Sequence, residues 1–106
     1  MYGPGTNLAS GGSLIFHSEC QMRYISECLD LLLTGHGRWM EPRPEKLADW
    51  VERSQAEMRT MVWSQPSIKH SFYKNADGDI YTLSPWRLVD YWTWTRSADP
   101  QDYVFG

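Results

Sequence analysis

The first residues with chemical potential form a run of glycines and small polar side chains. Gly3, Pro4, Gly5, Thr6, Asn7, Ser10, Gly11, Gly12 and Ser13 lead at once into the apolar Leu14-Ile15-Phe16. Glycine lets a chain turn sharply and approach a ligand with its backbone. A helix that opens after such a turn has first-turn N–H groups without intrahelical acceptors, at the positive end of its dipole. That combination suits an anion or a developing negative charge. The spacing is neither GxGxxG nor a Walker loop, so on pattern alone an ordinary turn is the better reading.

Other reactive groups are less suggestive. His17 and Glu19, two residues apart, cannot share a helix face, whereas His17 and Gln21 can. No nucleophile accompanies that pair, and it reads as a partly exposed polar face. Ser13, His17 and Asp30 do not make a triad at helical geometry, and GxSxG is absent. The stretch NADGD at 75–79 superficially resembles a calcium loop, but it lacks the twelfth-position acid and the flanking helix pair, so a hairpin turn is the better reading. Cys20 and Cys28 would be separated by about 12 Å along a helix, beyond disulfide reach. They read as reduced, buried and apolar. With no CxxC pair and scattered histidines there is no zinc spacing.

These groups need elements to position them. Residues 1–13 read as a Gly-rich loop with at most a strand stub at 1–3. A helix is expected over 14–34, with Ser13 as N-cap and Gly35 and Gly37 as the stop. Phe16, Cys20, Ile25, Cys28, Leu29 and Leu32 form its inward stripe. After RWMEPR, a second helix is expected over 44–62, opened by Pro44 and Glu45 and buried along Leu47, Trp50, Val51, Met58 and Met61. Two short aromatic and β-branched runs around Asp77-Gly78 predict a hairpin over 70–83. Ser84-Pro85 predicts the start of a third helix over 85–95, and 96–106 reads as a polar tail ending in an aromatic anchor. The fold class is therefore α+β: three main helices and one small β-hairpin. The 14–34 and 44–62 helices are expected to pack on each other and on the Trp86/Trp92 helix.

At 106 residues the chain is a single domain, 1–106. Hydrophobic residues make up 42% and aromatics 14%, which favours a folded chain over a disordered one. Six tryptophans and six tyrosines leave bulky apolar surface, some of it suited to another domain or another copy. A net charge of −3 without a basic run argues against nucleic acid as a partner. No run approaches the ~18 apolar residues of a membrane span, and no secretory signal pattern opens the chain. A cytoplasmic location follows as the expectation.

Against this background, YGPGTNLASGGSLIFHSECQMRYI resembles the last flavin-facing segment of class B flavin-dependent monooxygenases. The closest likeness is to the Baeyer–Villiger group typified by 4-hydroxyacetophenone monooxygenase. SFYKNADGDIYTLSPW and VDYWTWTR are similar to the C-terminal end of the same enzymes, so the resemblance covers nearly the whole chain. It implies the C-terminal portion of a larger α/β flavoprotein with two dinucleotide-binding domains for FAD and NADPH. It also implies that the backbone amides of Gly12, Ser13 and Leu14 approach the flavin N1–C2 carbonyl edge, with Thr6 and Asn7 on the same side. The parent reaction inserts one oxygen atom of O2 beside a ketone carbonyl.

The chain contains no GxGxxG, and the family's catalytic arginine and fingerprint would lie before Met1. The chain alone is therefore expected to bind no cofactor and to carry no catalytic residue. Its expected partners are the missing nucleotide-binding domains or a separate subunit bearing them. The alternative is a stand-alone interaction module or split-enzyme subunit without catalysis of its own. Either way the apolar face of the 14–34 helix predicts a homo-oligomer.

Overall fold

The computed structural model describes residues 12–61, 65–67, 74–80 and 83–106. Thr6, Asn7, the strand stub, most of the first hairpin arm and residues 81–82 of the second lie outside them. Within them the chain is α+β, with three helices and one two-stranded antiparallel sheet.

Helix α1, Leu14–Leu31, begins where Ser13 adopts an extended backbone and its hydroxyl accepts the Phe16 N–H at 3.2 Å. A wider turn, Leu32–His36, carries it to Gly35 at φ 97°, a conformation that glycine adopts without strain. Helix α2, Pro44–Met58, opens on a proline whose missing N–H would have had no partner. Helix α3, Leu88–Trp94, starts three residues later than Ser84-Pro85 suggests. Ser84 does not cap α3, and its buried hydroxyl has no hydrogen-bond partner among the described residues. Trp86 packs instead against Trp50 and Trp94, with ring centroids 5.6 and 5.1 Å away. That packing holds the chain outside helical geometry until Arg87, whose guanidinium then pairs with Asp90.

The sheet is not where turn chemistry pointed. Strand β1, Met40–Pro42, lies inside the RWMEPR connection, and β2, Tyr103–Phe105, lies in the tail. They pair antiparallel as Met40↔Phe105, Glu41↔Val104 and Pro42↔Tyr103. A short 3-10 turn, Pro100–Asp102, capped by the Asp99 side chain, aims β2 at β1. Lys46 pairs with Asp102 at 2.9 Å, fixing the start of α2 to the same turn. Around Asp77-Gly78 the expected reversal is present. Gly78 has φ 85°, Asn75 Oδ1 accepts the amides of Asp77 and Asp79, and Lys74 bridges Ile80.

Two of the expected stripes hold only in part: Cys20 and Met58 are buried and Phe16, Cys28, Leu32, Trp50 and Met61 are half-buried. On α1 the buried side chains are His17, Cys20 and Gln21, while Ile25 and Leu29 face outward. On α2 Ser54 and Met58 are buried, and Leu47 and Val51 are exposed. Met58 closes a small core with Ile80 and Leu83. The two long helices make no extensive contact with each other among the described residues. α1 lies on α3, and α2 reaches the Trp86–Trp94 stretch through Trp50. The described fold is correspondingly elongated, 50 × 28 × 19 Å.

Candidate functional site

The start of α1 is open. Gly12, Ser13, Leu14 and Ile15 are all exposed, and no acidic side chain lies in the first turn. The Ser13 hydroxyl is committed to Phe16, and the Ser13 carbonyl accepts the His17 N–H at 3.1 Å. The amides ahead of them, at Leu14 and Ile15, are the donors that a helix start leaves for water or a ligand. Three of the five predicted site residues, Gly12, Ser13 and Leu14, thus sit consecutively at an exposed helix start. Thr6 and Asn7 lie outside the described residues.

Directly beneath, the structure corrects the reading of His17 and Gln21 as a partly exposed face. His17 is 1% exposed and Gln21 is buried beside it. The His17 ring stacks on Tyr91 of α3, with centroids 4.0 Å apart and planes at 27°. Its Nδ1 lies 3.4 Å from the Gln21 side-chain nitrogen. A Gln21 N–H that donates to Nδ1 leaves the proton of the neutral ring on Nε2, which has no partner among the described residues. Burial holds the His17 pKa below its ordinary 6.5 and pushes that of the Tyr91 phenol up. The pair is therefore a neutral, stacked junction between the first turn of α1 and α3. The sequence signals were the i,i+4 spacing of His17 and Gln21 and the aromatic excess of 86–94. Neither says that the two meet.

A measurable pH dependence follows. With its folded pKa depressed, His17 binds a proton more readily in the unfolded chain, so stability rises with pH where that difference operates. Its contribution is fully present above 6.5 and is lost as pH falls from there through the folded pKa. Urea unfolding between about pH 5 and pH 8 should show this slope, and His17→Asn should flatten it. An unchanged slope in the variant would exclude His17 as its source.

Farther along α1, the Tyr24 and Tyr103 hydroxyls hydrogen-bond, and the Cys28 thiol approaches the Tyr103 oxygen at 3.9 Å. Burial raises the pKa of all three groups, so the cluster is a neutral lock holding β2 to α1. Cys20 and Cys28 are both free thiols. Among the described residues no group of acidic, histidine or cysteine side chains could hold a metal ion. No described helix is long and apolar enough to cross a membrane.

The chain is 36% identical over 103 residues to an uncharacterized monooxygenase of Sinorhizobium fredii, an overlap of 97% of this chain and 15% of that protein. It is 31% identical over 102 residues to a Baeyer–Villiger monooxygenase of Streptomyces coelicolor, covering 95% of this chain and 19% of that protein. An FAD-binding monooxygenase of Aspergillus niger is 32% identical over 95 residues, 86% of this chain and 15% of its own length. Its relatives are monooxygenases. This monooxygenase-like chain spans less than a fifth of the length of the curated relatives it matches. No family model matches it, and no solved structure does.

Proposed function

We propose that this chain is the C-terminal part of an FAD- and NADPH-dependent monooxygenase of the Baeyer–Villiger type, inactive by itself. The observation that carries the reading is the open, acid-free start of α1 in a stretch shared with monooxygenases, one of them named for FAD binding. Bound FAD supplies the redox chemistry that activates O2. The chain contributes a charge-stabilising edge. With FAD bound, the backbone amides over Gly12, Ser13 and Leu14 would lie along the flavin's edge and offer hydrogen-bond donors to negative charge there. The helix dipole adds about 0.3–2 kcal/mol, depending on burial. Ser13 acts through its backbone, since its hydroxyl is already held by Phe16. The exposed side chains of Leu14 and Ile15 exclude water from that edge once covered.

The test is a chimaera in which this chain replaces the matching stretch of the Streptomyces coelicolor enzyme. It should retain FAD and oxidise NADPH in the presence of a ketone. Ser13→Asp preserves a good N-cap while setting a carboxylate at the same edge. It should lower the two-electron flavin potential by roughly 10–40 mV, the electrical equivalent of that dipole term. A folded chimaera that loses its flavin, or a potential that Ser13→Asp leaves unmoved, would refute the assignment. The isolated chain mixed with FAD should elute colourless from gel filtration. A stoichiometric yellow peak would overturn the inactivity of the chain alone.

A further inference from the structure

The geometry points to the cleft between α1 and the end of α3 as a receptor for a carboxylate, held by the guanidinium groups of Arg23 and Arg96. The cleft encloses about 160 Å³ and is built by both helices of this chain. Phe16, Trp92 and the buried Cys20 give it apolar walls. The guanidinium carbon of Arg96 lies 4.1 Å from the centre of the Trp92 ring. Such a stack occupies the face of a guanidinium and leaves its in-plane N–H groups for an acceptor. Arg23 is tied to the same corner, its Nε donating to the Arg96 carbonyl at 3.1 Å. Its approach to Glu27 is long, 3.8 Å, and exposed. Among the described residues no carboxylate comes within ion-pair distance of Arg96.

Charge and donor geometry select the ligand. Two guanidinium groups facing one small cleft repel each other, a cost that a bound anion removes. Glu19 lines the same cleft, so the walls keep one net positive charge, which suits a monoanion better than a doubly charged phosphate. The Thr95 hydroxyl, also on the wall, donates to the Tyr91 carbonyl at 2.8 Å and has no proton left for a ligand. The arginines are therefore the strong donors, and their planar forks match the two oxygens of a carboxylate. Phe16 and Trp92 offer aromatic surface to whatever carries that group. The carboxylate has two possible sources, a free organic acid of aryl size or an acidic side chain on the remainder of the proposed parent. Both present the same group to the same donors. The site uses neither the α1 start nor the flavin.

Benzoate is the probe, read by proton–nitrogen correlation spectra of the full chain. The Arg23 and Arg96 Nε–H and Trp92 indole signals should shift saturably, with a Kd on the order of 1 mM. Benzamide, which is neutral and of the same shape, and inorganic phosphate should each bind about tenfold more weakly. Arg96→Gln should weaken benzoate by about tenfold or more, and Glu19→Gln should tighten it by about two- to fivefold. Both side chains are exposed, so far-UV circular dichroism should not change. Arg59→Gln, which removes the same charge at the end of α2, should leave the affinity unchanged. Benzoate binding that persists in the chimaera identifies a free acid as the ligand. Binding that disappears there, with Arg96→Gln lowering the melting temperature of the chimaera, identifies an acidic side chain of the covering domain. The absence of a saturable shift in the full chain, benzamide equal to benzoate, or an affinity indifferent to Arg96→Gln would each overturn the proposal. So would a chimaera that neither binds benzoate nor responds to Arg96→Gln in its melting temperature. None of these readouts involves flavin, so the monooxygenase assignment stands or falls separately.

Discussion

Tyr91→Ala should cost about 3–5 kcal/mol of folding stability, the range for deleting a buried aromatic side chain. Urea unfolding followed by circular dichroism is the measurement. Tyr91 is 6% exposed and forms the α3 half of the stack with His17. Removing it takes the ring from under a buried imidazole and leaves His17 and Cys20 facing a void between α1 and α3. Nothing else described on α3 is both aromatic and buried, so the site has little with which to refill. Tyr91→Phe keeps the ring and loses only the phenol hydroxyl, which hydrogen-bonds Gln21. It should cost about 0.5–1.5 kcal/mol. A loss below about 1 kcal/mol for the alanine variant would show that the stack contributes little beyond proximity.

Met58→Ala tests the other small core, and a loss of about 2–5 kcal/mol is expected. Met58 is 3% exposed and packs with Ile80 and Leu83, joining the end of α2 to the 75–80 turn. Met58→Leu conserves volume and should cost less than about 1.5 kcal/mol. The clusters around Tyr91 and Met58 share no residue, so their losses should add to within about 0.5 kcal/mol, measured by a double-mutant cycle built on the milder Phe and Leu variants. A domain of this size has only about 5–15 kcal/mol in total. The double alanine variant should accordingly be largely unfolded. A near-native double variant would mean that neither cluster is a real core.

These two clusters also show where sequence reading stopped. The start of α1 was legible because Ser13 and the run after it obey a local rule, and its stop was legible because Gly35 takes a conformation that favours glycine. The Asp77-Gly78 turn was legible for the same reason. Which face of α1 turns inward was not. Ile25 and Leu29 are as apolar as any core residue, and hydropathy cannot say whether an apolar face serves its own core or another surface. The buried face, with His17 and Gln21, looks polar in sequence and becomes interior only because Tyr91 arrives from 74 residues away. Capping grammar misplaced the start of α3 because Trp86 gains more from Trp50 and Trp94 than from joining a helix. The three-residue strands carry no period that a window could detect. At the candidate site, Gly12, Ser13 and Leu14 were recognisable by type and order, whereas the histidine beneath them depended on tertiary contact.

The partnership of Met40–Pro42 with Tyr103–Phe105 has a consequence for how the molecule is made. A ribosome delivers α1 before β2, so Tyr24 and Cys28 must wait for a strand 79 and 75 residues farther along the chain. At about 5–20 residues per second the delay is on the order of 5–15 seconds. Throughout it the helix shows solvent the flank meant for β2 as well as its outer stripe. This stretch is thus more adhesive before β2 emerges, and a holdase that recognises extended apolar surface would find its target in that interval.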